Sequence, residues 1–503
     1  MIGAHYRGAH DFDTPKGRAR NSDFDSKGLD FNIGYSPTSE SRWELSGRYQ
    51  DVMTGRAGGL GAAPGAPIQE VTEDPIIERY LRLAYQGKNF GALADTLDGS
   101  LYVREFETDI YQTNRSNPAV TAAPHLKVYT PTVWGGHLVA MKGMGEHLLG
   151  YGGDFFREDF YGRKRQITRT NAATGALIGQ TDWEHIDRHS WQTNIGAFIT
   201  DEWQASERWT LSGALRYDRV KVKIGHTVDG ETPAITEEFE RHRENTHSAL
   251  TGNLGAVYKL TPVWSLAANL SRGFRAPSGN ERTITSTAGT ITTLPSPELK
   301  PEYNNTLELG LRWNADAARG SLTAYESRYT DLITTRVLTP SLRQRLNVGD
   351  AVIRGLELEG SNELARHWRL AYMLTLTRGT DKSSHRPLPG IAPLAARLAL
   401  RYQQDGWYVE GVTRGYKGKT RIDATQERKG SSYAMVDVYA GASLDRYIGG
   451  ARGWKLVAGV ENLFDRLGRN PAVAEDIAYP HGGIANPLAE PGRNFVLKLT
   501  SDF

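Results

Sequence analysis

The chain has 503 residues and a formal net charge of +2, so no nucleic-acid partner is indicated. It has no cysteine, which excludes disulfide bonds, zinc ribbons and thiol catalysis, and no run of 18 apolar residues, which excludes helical membrane spans. The mean hydropathy of −0.50 still allows a membrane β-barrel, because half of each strand in such a barrel faces water.

The first third of the chain alternates apolar and polar residues over lengths typical of strands. A Gly/Ala/Pro-rich segment, Gly55–Pro75, lacks helical periodicity, and the polar segment Arg163–Asp187 predicts a long loop. The predicted strands are Ile2–Phe12, Leu29–Tyr35, Trp43–Tyr49, Arg79–Gln86, Leu97–Gln112, Leu126–Ala140 and His147–Gly162.

The rhythm is clearer from residue 191 onwards, where short turns alternate with long loops. The last strand places Phe495, Leu497 and Leu499 on one face, with Phe503 closing the same row. The predicted strands are Trp191–Trp203, Trp209–Tyr217, Leu250–Leu260, Trp264–Leu270, Leu307–Trp313, Ser321–Thr334, Leu346–Glu359, Trp368–Arg378, Leu394–Tyr402, Trp407–Tyr416, Ala434–Leu444, Trp454–Phe464 and Phe495–Phe503.

These segments predict about twenty strands with one apolar and one polar face. Short turns on one side and long loops on the other are typical of transmembrane β-barrels, and an even count puts both termini at the short-turn side. No fixed repeat of 20 to 50 residues is present, which argues against a propeller or a solenoid. The sequence therefore predicts an all-β, antiparallel, up-and-down transmembrane barrel; a large soluble all-β protein is the alternative.

Three motifs resemble those of the TonB-dependent receptors, the plugged outer-membrane transporters of Gram-negative bacteria. The first is Ser271–Ser278 (SRGFRAPS), and the second is Pro295–Glu302 (PSPELKPE). The third is Val460–Arg466 (VENLFDR), followed after a long loop by Pro491–Arg493 (PGR) and the terminal aromatic strand. Prolines in the first two motifs stop strand pairing where the chain enters a loop. We therefore expect a structural role at the motif positions Phe274, Pro277, Leu299, Pro301, Asn462, Leu463, Phe464, Asp465 and Phe503.

The resemblance implies a 22-stranded barrel, an N-terminal plug and a segment that contacts TonB. The predicted strands fill residues 1–503, and no signal peptide is seen at Met1–Arg7. We therefore expect a barrel domain without its signal peptide, TonB box, plug and first hairpin. TonB would then act only through a plug outside these residues, and the barrel alone would be an open pore or an unstable shell.

A group of cations beside aromatic residues is the candidate ligand site. Such residues suit an anionic, aromatic chelate, so a ferric siderophore is the expected ligand, whereas a solvated loop tip or a site for lipopolysaccharide phosphates is the alternative. The candidate residues are Phe160, Tyr161, Arg163, Lys164, Arg165 and Arg169, with Arg275 as a lumen residue or a paired wall charge.

Other ligands and other classes of protein stay open. The motifs also resemble those of haem and haemoglobin receptors, in which a histidine is expected between the first two boxes, but residues 278–294 contain none. Cobalamin is a further alternative. His185 and His189 lie in a predicted loop, where an i, i+4 spacing does not define a metal site, and His481 has no assigned role. No metal or cofactor is predicted.

No G-x-S-x-G, P-loop or H-E-x-x-H motif is present, so an enzyme is not predicted. A passive porin and a barrel enzyme are the alternatives of other classes. The expected location is the outer membrane, where the partners would be lipid, lipopolysaccharide and, at the C-terminal strand, the barrel-assembly machinery. A monomer is expected.

Overall fold

The computed structural model describes residues 1–56, 69–129, 132–225, 228, 233–288, 291–339, 342–347, 349–427, 429–449, 453–472 and 489–501. The predicted positions Phe503 and His481 lie outside these ranges. Within the described residues, the helices are all too short or too polar to cross a membrane.

Twenty strands form the wall, and each pairs antiparallel with the next one along the chain. This arrangement confirms the predicted up-and-down fold. The strands are β1 (Ile2–Ala9), β2 (Phe24–Thr38), β3 (Ser41–Gly55), β4 (Gln69–Lys88), β5 (Thr96–Asn117), β6 (Thr132–Met144), β7 (His147–Phe160), β8 (Ser190–Trp203), β9 (Trp209–Ile224), β10 (Glu244–Lys259), β11 (Trp264–Arg275), β12 (Glu302–Ala315), β13 (Ala318–Thr330), β14 (Ala351–Ala365), β15 (Trp368–Asp381), β16 (Ala395–Gln404), β17 (Trp407–Tyr416), β18 (Tyr433–Ser443), β19 (Trp454–Glu461) and β20 (Asn494–Ser501).

The wall has an apolar outer face and a polar inner face, because side chains alternate along each strand. On β12, Leu307, Leu309 and Leu311 point outwards, whereas Glu308 and Arg312 point inwards. The apolar outer face continues onto the neighbouring strands, since Leu309 lies opposite Ala268 of β11 and Ala324 of β13. On β20, Phe495 and Leu497 are 76% and 77% exposed, as expected for an outer face without its lipid.

Tryptophan and tyrosine residues ring the outer face beside the short turns. The tilted rings of Trp43 and Tyr85 are in contact with their centres 4.7 Å apart, and those of Trp209 and Tyr258 with their centres 4.6 Å apart. An aromatic girdle of this kind marks one border of the apolar band of a membrane barrel. Other members of this girdle are Trp203, Trp264, Trp313, Trp368, Tyr402, Trp407 and Trp454.

The wall strands run between a short-turn end and a long-loop end. β20 runs towards the short-turn end, where Ser501 lies opposite Trp454 of the girdle. β1 begins partway along β2, with Ile2 opposite Phe31, and β2 continues to the short turn after Thr38. Among the described residues, β1 pairs along one edge only, with β2, and β20 along one edge only, with β19. The described wall is therefore a continuous curved sheet whose first and last strands each present an unpaired edge.

The prediction for Leu126–Ala140 agrees with the described residues on both sides of positions 130–131: Val120–Tyr129 and β6 are strands that pair one after the other with the 22-residue β5. The prediction for the segment that follows Gly162 is wrong. Arg163–Asp187 is not a loop, because the strand Arg163–Asn171 pairs with Val120–Tyr129 and continues the sheet beyond the wall. The sequence of Arg163–Asn171 is polar at every position except Ile167, so it lacks the apolar row that marks the wall strands.

Short elements cover the long-loop end next to β11–β15. The strands Ser286–Ala288, Ile291–Leu294, Ile333–Thr339 and Leu342–Asn347 form a second sheet, and the helices are α1 (Pro233–Arg241) and α2 (Gly279–Thr283). The wall strand β13 consequently ends at Thr330, earlier than predicted, and β14 begins at Ala351, later than predicted.

Candidate functional site

The helix α2 joins the wall to the loops at the long-loop end, and we call it with its contacts the α2 junction. Ser278 caps the helix, and Glu281 completes the capping box. Arg275, the last residue of β11, donates to Glu281 Oε2 at 2.9 Å and to Glu302 Oε1, at the start of β12, at 2.6 Å. A single guanidinium group therefore links the first two sequence motifs.

Arg163 reaches the same junction from the sheet extension. Its guanidinium pairs with the buried Asp187 and donates to the carbonyl oxygen of Thr285, just after α2. The structure thus brings together two of the predicted ligand residues, Arg163 and Arg275. Both guanidinium groups are engaged by protein oxygens, so neither is presented as an open charge.

Arg282 of α2 is fully buried and fixes the junction from within. Its guanidinium donates to the carbonyl oxygens of Pro297 and His242, and burial lowers the pKa of Arg282 to about 10. Its Nη1 has no hydrogen-bond partner among the described residues. Because the neighbouring Leu299 of the second motif is also buried, this part of the junction is a packed structural unit.

The other predicted ligand residues do not form one cluster, because alternate residues of a strand point to opposite faces. Arg165 pairs with Glu184 on the face of Arg163, whereas Lys164 lies on the opposite face, in register with Lys127 and His185.

The remaining members of the predicted group differ in exposure. Phe160 is buried, Tyr161 is half exposed, and Arg169 is exposed. Tyr161 stacks on His189 with ring centres 5.1 Å apart, and partial burial lowers the pKa of His189. In the described part of the chain, no cluster of three or more His, Cys, Asp or Glu residues could hold a metal ion.

The third motif closes the last loop over the wall. Asn462 is buried and has a positive φ of 47°, which asparagine tolerates better than most residues. Its side chain donates to the carbonyl oxygens of Arg466 and Pro491 at 2.9 and 3.0 Å. Asp465 accepts from the backbone of Arg493 at 2.9 Å, and Leu463 accepts from the Arg493 side chain.

An open cavity at the long-loop end lies beside the second sheet, and we call it the loop pocket. It has a volume of about 570 Å³, within the range of small-ligand sites. Arg336 and Arg386 provide its positive charge, and Leu388 and the prolines beside it provide apolar surface. The remaining lining residues are mostly hydroxyls, amides and carboxylates: Thr334, Thr335, Thr339, Asp381, Ser384, Asp423, Thr425 and Gln426.

The charges of the loop pocket are partly paired. Arg386 lies 3.5 Å from Asp423, and its side chain is 57% exposed. Burial opposes ionisation of Asp423, but hydrogen bonds from Thr425 and the charge of Arg386 outweigh it and lower the Asp423 pKa. The pocket can therefore offer an exposed guanidinium group and several hydroxyls to an anionic, hydroxyl-rich ligand. Sequence reasoning missed it because its residues come from three separate loops, none with a recognisable motif.

Comparison with protein families gives one model over most of the chain. The model described as "TonB dependent receptor-like, beta-barrel" matches residues 3–463. Among curated proteins, the iron-regulated outer membrane virulence protein of Vibrio cholerae serotype O1 is 25% identical over 308 residues, which cover 57% of this chain and 41% of that protein. The chain therefore spans less than half the length of this relative.

Solved structures share the fold over nearly the whole chain. The copper transporter OprC superposes with a TM-score of 0.80 at 23% identity, covering 99% of this chain and 74% of OprC. The ferric yersiniabactin uptake receptor FyuA of Yersinia pestis superposes with a TM-score of 0.69 at 12% identity, with coverage of 99% and 74%. At these identities the likeness concerns the fold alone.

Proposed function

Because the chain belongs to the TonB-dependent receptor-like β-barrel family, we propose that it forms the wall of a receptor that takes up an iron chelate. A ferric siderophore is the proposed ligand. The chain is an outer-membrane protein, so its long-loop end is the expected extracellular end. Captured ligand would enter from there, on the side of the loop pocket.

The loop pocket is the observation that carries this proposal. It is open, about 570 Å³ in volume, and carries two guanidinium groups beside hydroxyls and apolar surface. Guanidinium groups bind the oxygens of anionic chelates through charge-assisted hydrogen bonds. Arg386 is the proposed first contact because more than half of its side chain is exposed.

The ligand residues predicted from the sequence at positions 160–169 remain part of the proposal, but only some of them are proposed to contact the ligand. Tyr161 and Arg169 are the exposed members, so a ligand can touch them without breaking an ion pair. Arg163, Arg165 and Arg275 already bind carboxylates, and their proposed role is to hold the loops that surround the ligand.

The remaining proposals concern partners. Transport against a gradient requires energy, and we propose that TonB supplies it through a plug domain, as the family resemblance implies. The barrel-assembly machinery would recognise β20, whose unpaired edge suits recognition by strand addition. The other proposed partner is the surrounding lipid, including lipopolysaccharide, and the proposed oligomeric state is a monomer.

Ligand binding tests the proposal. The purified full chain in detergent would be titrated with a ferric catecholate siderophore, a ferric hydroxamate siderophore, haem and cobalamin, with quenching of tryptophan fluorescence as the signal. We expect saturable binding of a ferric siderophore and about 100-fold weaker binding by Arg336→Ala/Arg386→Ala, since the variant loses two hydrogen bonds from charged groups that contribute about 1.5 kcal/mol each.

The control is Arg328→Ala, which removes an exposed cation from the outer face of the wall. It should bind as the unchanged chain does. Binding of haem or cobalamin in place of the siderophores would contradict the ligand proposal. Equal siderophore binding by the double variant would contradict the assignment to the loop pocket. An ion current through this wall that siderophore never affects would instead favour a passive pore.

A further inference from the structure

Seven cations lie on the outer face of the wall at the long-loop ends of neighbouring strands. Arg272 on β11 is typical. It lies on the same outward face of the strand as Leu266 and Leu270, because every second residue of a strand points the same way. Its guanidinium lies 5.0 Å from the ring centre of the outward Tyr303. We call this set the basic arc, and its members are Arg219, Lys221, Lys223, Arg272, Arg328, Arg354 and Arg378.

The basic arc lies at the upper border of the apolar band. Arg272 follows the girdle residue Trp264 by eight residues on β11, and Arg378 follows Trp368 by ten on β15. At about 3.3 Å per residue and a tilt of about 40°, these distances correspond to roughly 20–25 Å along the membrane normal. That height matches an apolar band of about 25 Å, so the cations stand level with the headgroups of the outer leaflet.

The charge of the basic arc is only partly balanced by protein. On the outward positions of the same strand ends, the described residues include two carboxylates, Glu244 and Glu326. Glu244 bridges Lys221 and Lys223, and Glu326 bridges Arg328 and Arg354.

Three cations of the arc are left for an external partner: in the described part of the chain, no carboxylate lies within 4.0 Å of Arg219, Arg272 or Arg378. All three are exposed residues. Their charge is therefore available to a group outside the wall at headgroup height.

The opposite side of the wall has cations at similar heights, but its charges are matched. Lys27 pairs with Asp51 at 3.2 Å, Arg79 with Glu107 at 2.9 Å, and Arg157 with Asp159 at 3.1 Å. The excess positive charge is therefore a property of the β9–β15 side and not of the whole rim.

We propose that the basic arc binds the phosphate groups of the outer-leaflet glycolipid, the lipid A part of lipopolysaccharide. Guanidinium groups bind phosphate oxygens bidentately, and an anionic headgroup at this height would neutralise the excess charge. Acyl chains attached to that headgroup would lie along the leucines below it. This inference rests on the outer-membrane location of the chain and is independent of the ligand taken up.

The test compares two variants of the full chain with equal changes in charge. Arg219→Gln/Arg272→Gln/Arg378→Gln removes the unpaired cations and leaves no carboxylate without a partner. Lys27→Gln/Arg79→Gln/Arg157→Gln removes three cations at similar heights on the opposite side. Lipid A retained after purification from outer membranes would be quantified by mass spectrometry, and rebinding of lipid A to delipidated protein would be titrated.

We expect the first variant to bind lipid A at least tenfold more weakly, since each cation near an anionic lipid surface contributes about fivefold in affinity. The second should bind as the unchanged chain does. Lipid A without phosphates should bind the unchanged chain as weakly as the first variant binds intact lipid A, and inorganic phosphate should not compete at millimolar concentration. Equal loss in both variants, or equal binding of dephosphorylated lipid A, would overturn the proposal.

Discussion

Single side chains at the long-loop end each tie several loops together. Arg275 joins α2 to β12, and Asn462 joins two points of the last loop, Arg466 and Pro491. The buried Lys419 joins Glu427 at 2.5 Å to the carbonyl oxygen of Pro471 at 3.0 Å. A sequence motif marks the first two residues, and the resemblance to a family indicated their structural importance. The partners of Arg275 could not be predicted, because Glu281 and Glu302 come near it only when the loop folds back over the wall.

Loss of Arg275 should destabilise the α2 junction. In Arg275→Ala, the carboxylates of Glu281 and Glu302 would be left close together, with side chains 20% and 13% exposed. We expect the free energy of unfolding to fall by about 1–3 kcal/mol. This loss is smaller than that for breaking a fully buried ion pair, because Arg275 is itself partly exposed. Urea unfolding of the detergent-solubilised chain, followed by tryptophan fluorescence, measures it.

Low pH should also destabilise the α2 junction in the unchanged chain, although less than the loss of Arg275 does. Burial opposes ionisation of Glu281, but the Arg275 and Ser278 hydrogen bonds outweigh it and lower the Glu281 pKa below the usual 4.5. A lowered folded-state pKa contributes stability that is present above pH 4.5 and is lost as the pH falls through the folded value. Arg275→Ala should show less of this acid loss. Equal acid sensitivity of both proteins, or an Arg275→Ala variant as stable as Arg328→Ala, would contradict the role of the junction.

The buried ion pair of Lys419 and Glu427 gives a prediction with an internal control. Lys419→Met leaves Glu427 as a buried carboxylate without its cation and should cost about 3–5 kcal/mol or unfold the loop locally. Lys419→Met/Glu427→Leu removes both charges and should recover most of that loss. Limited proteolysis of the loops around residue 419 measures the local effect. A double variant as sensitive to protease as the single one would show that the pair does not act through charge.

At the scale of elements, the sequence predicts the wall well and the loops poorly. Wall strands such as β12 carry an unbroken outward row, Leu307, Leu309 and Leu311, because one face meets hydrocarbon along its whole length. The strand Arg163–Asn171 has the sequence RKRQITRTN, in which Ile167 is the single apolar residue, so it has no apolar row and the sequence predicts a loop there. The loop pocket was missed for the same reason: its residues are polar, and only the folded loops bring them together.

At the scale of the whole molecule, the wall separates two solvents with a single layer of strands. Its outer face is a band of leucine between a lower aromatic girdle and the basic arc, and its inner face carries ion pairs such as Arg216 with Asp154 at 2.6 Å. The strand count and the alternation of short and long connections were predictable from the sequence. The unpaired edges of β1 and β20 were not, because edge pairing depends on curvature and register, which no local pattern records.

The alternation between lipid and water along one wall strand tests the barrel wall most directly. The chain has no cysteine, so single cysteines at positions 307–312 of β12 can carry spin labels without background. In lipid bilayers, labels in Leu307→Cys, Leu309→Cys and Leu311→Cys should relax with oxygen, and labels in Glu308→Cys, Gly310→Cys and Arg312→Cys with a water-soluble nickel chelate. Accessibility that does not alternate with a period of two, or oxygen contact on both faces, would contradict a barrel wall between lipid and water.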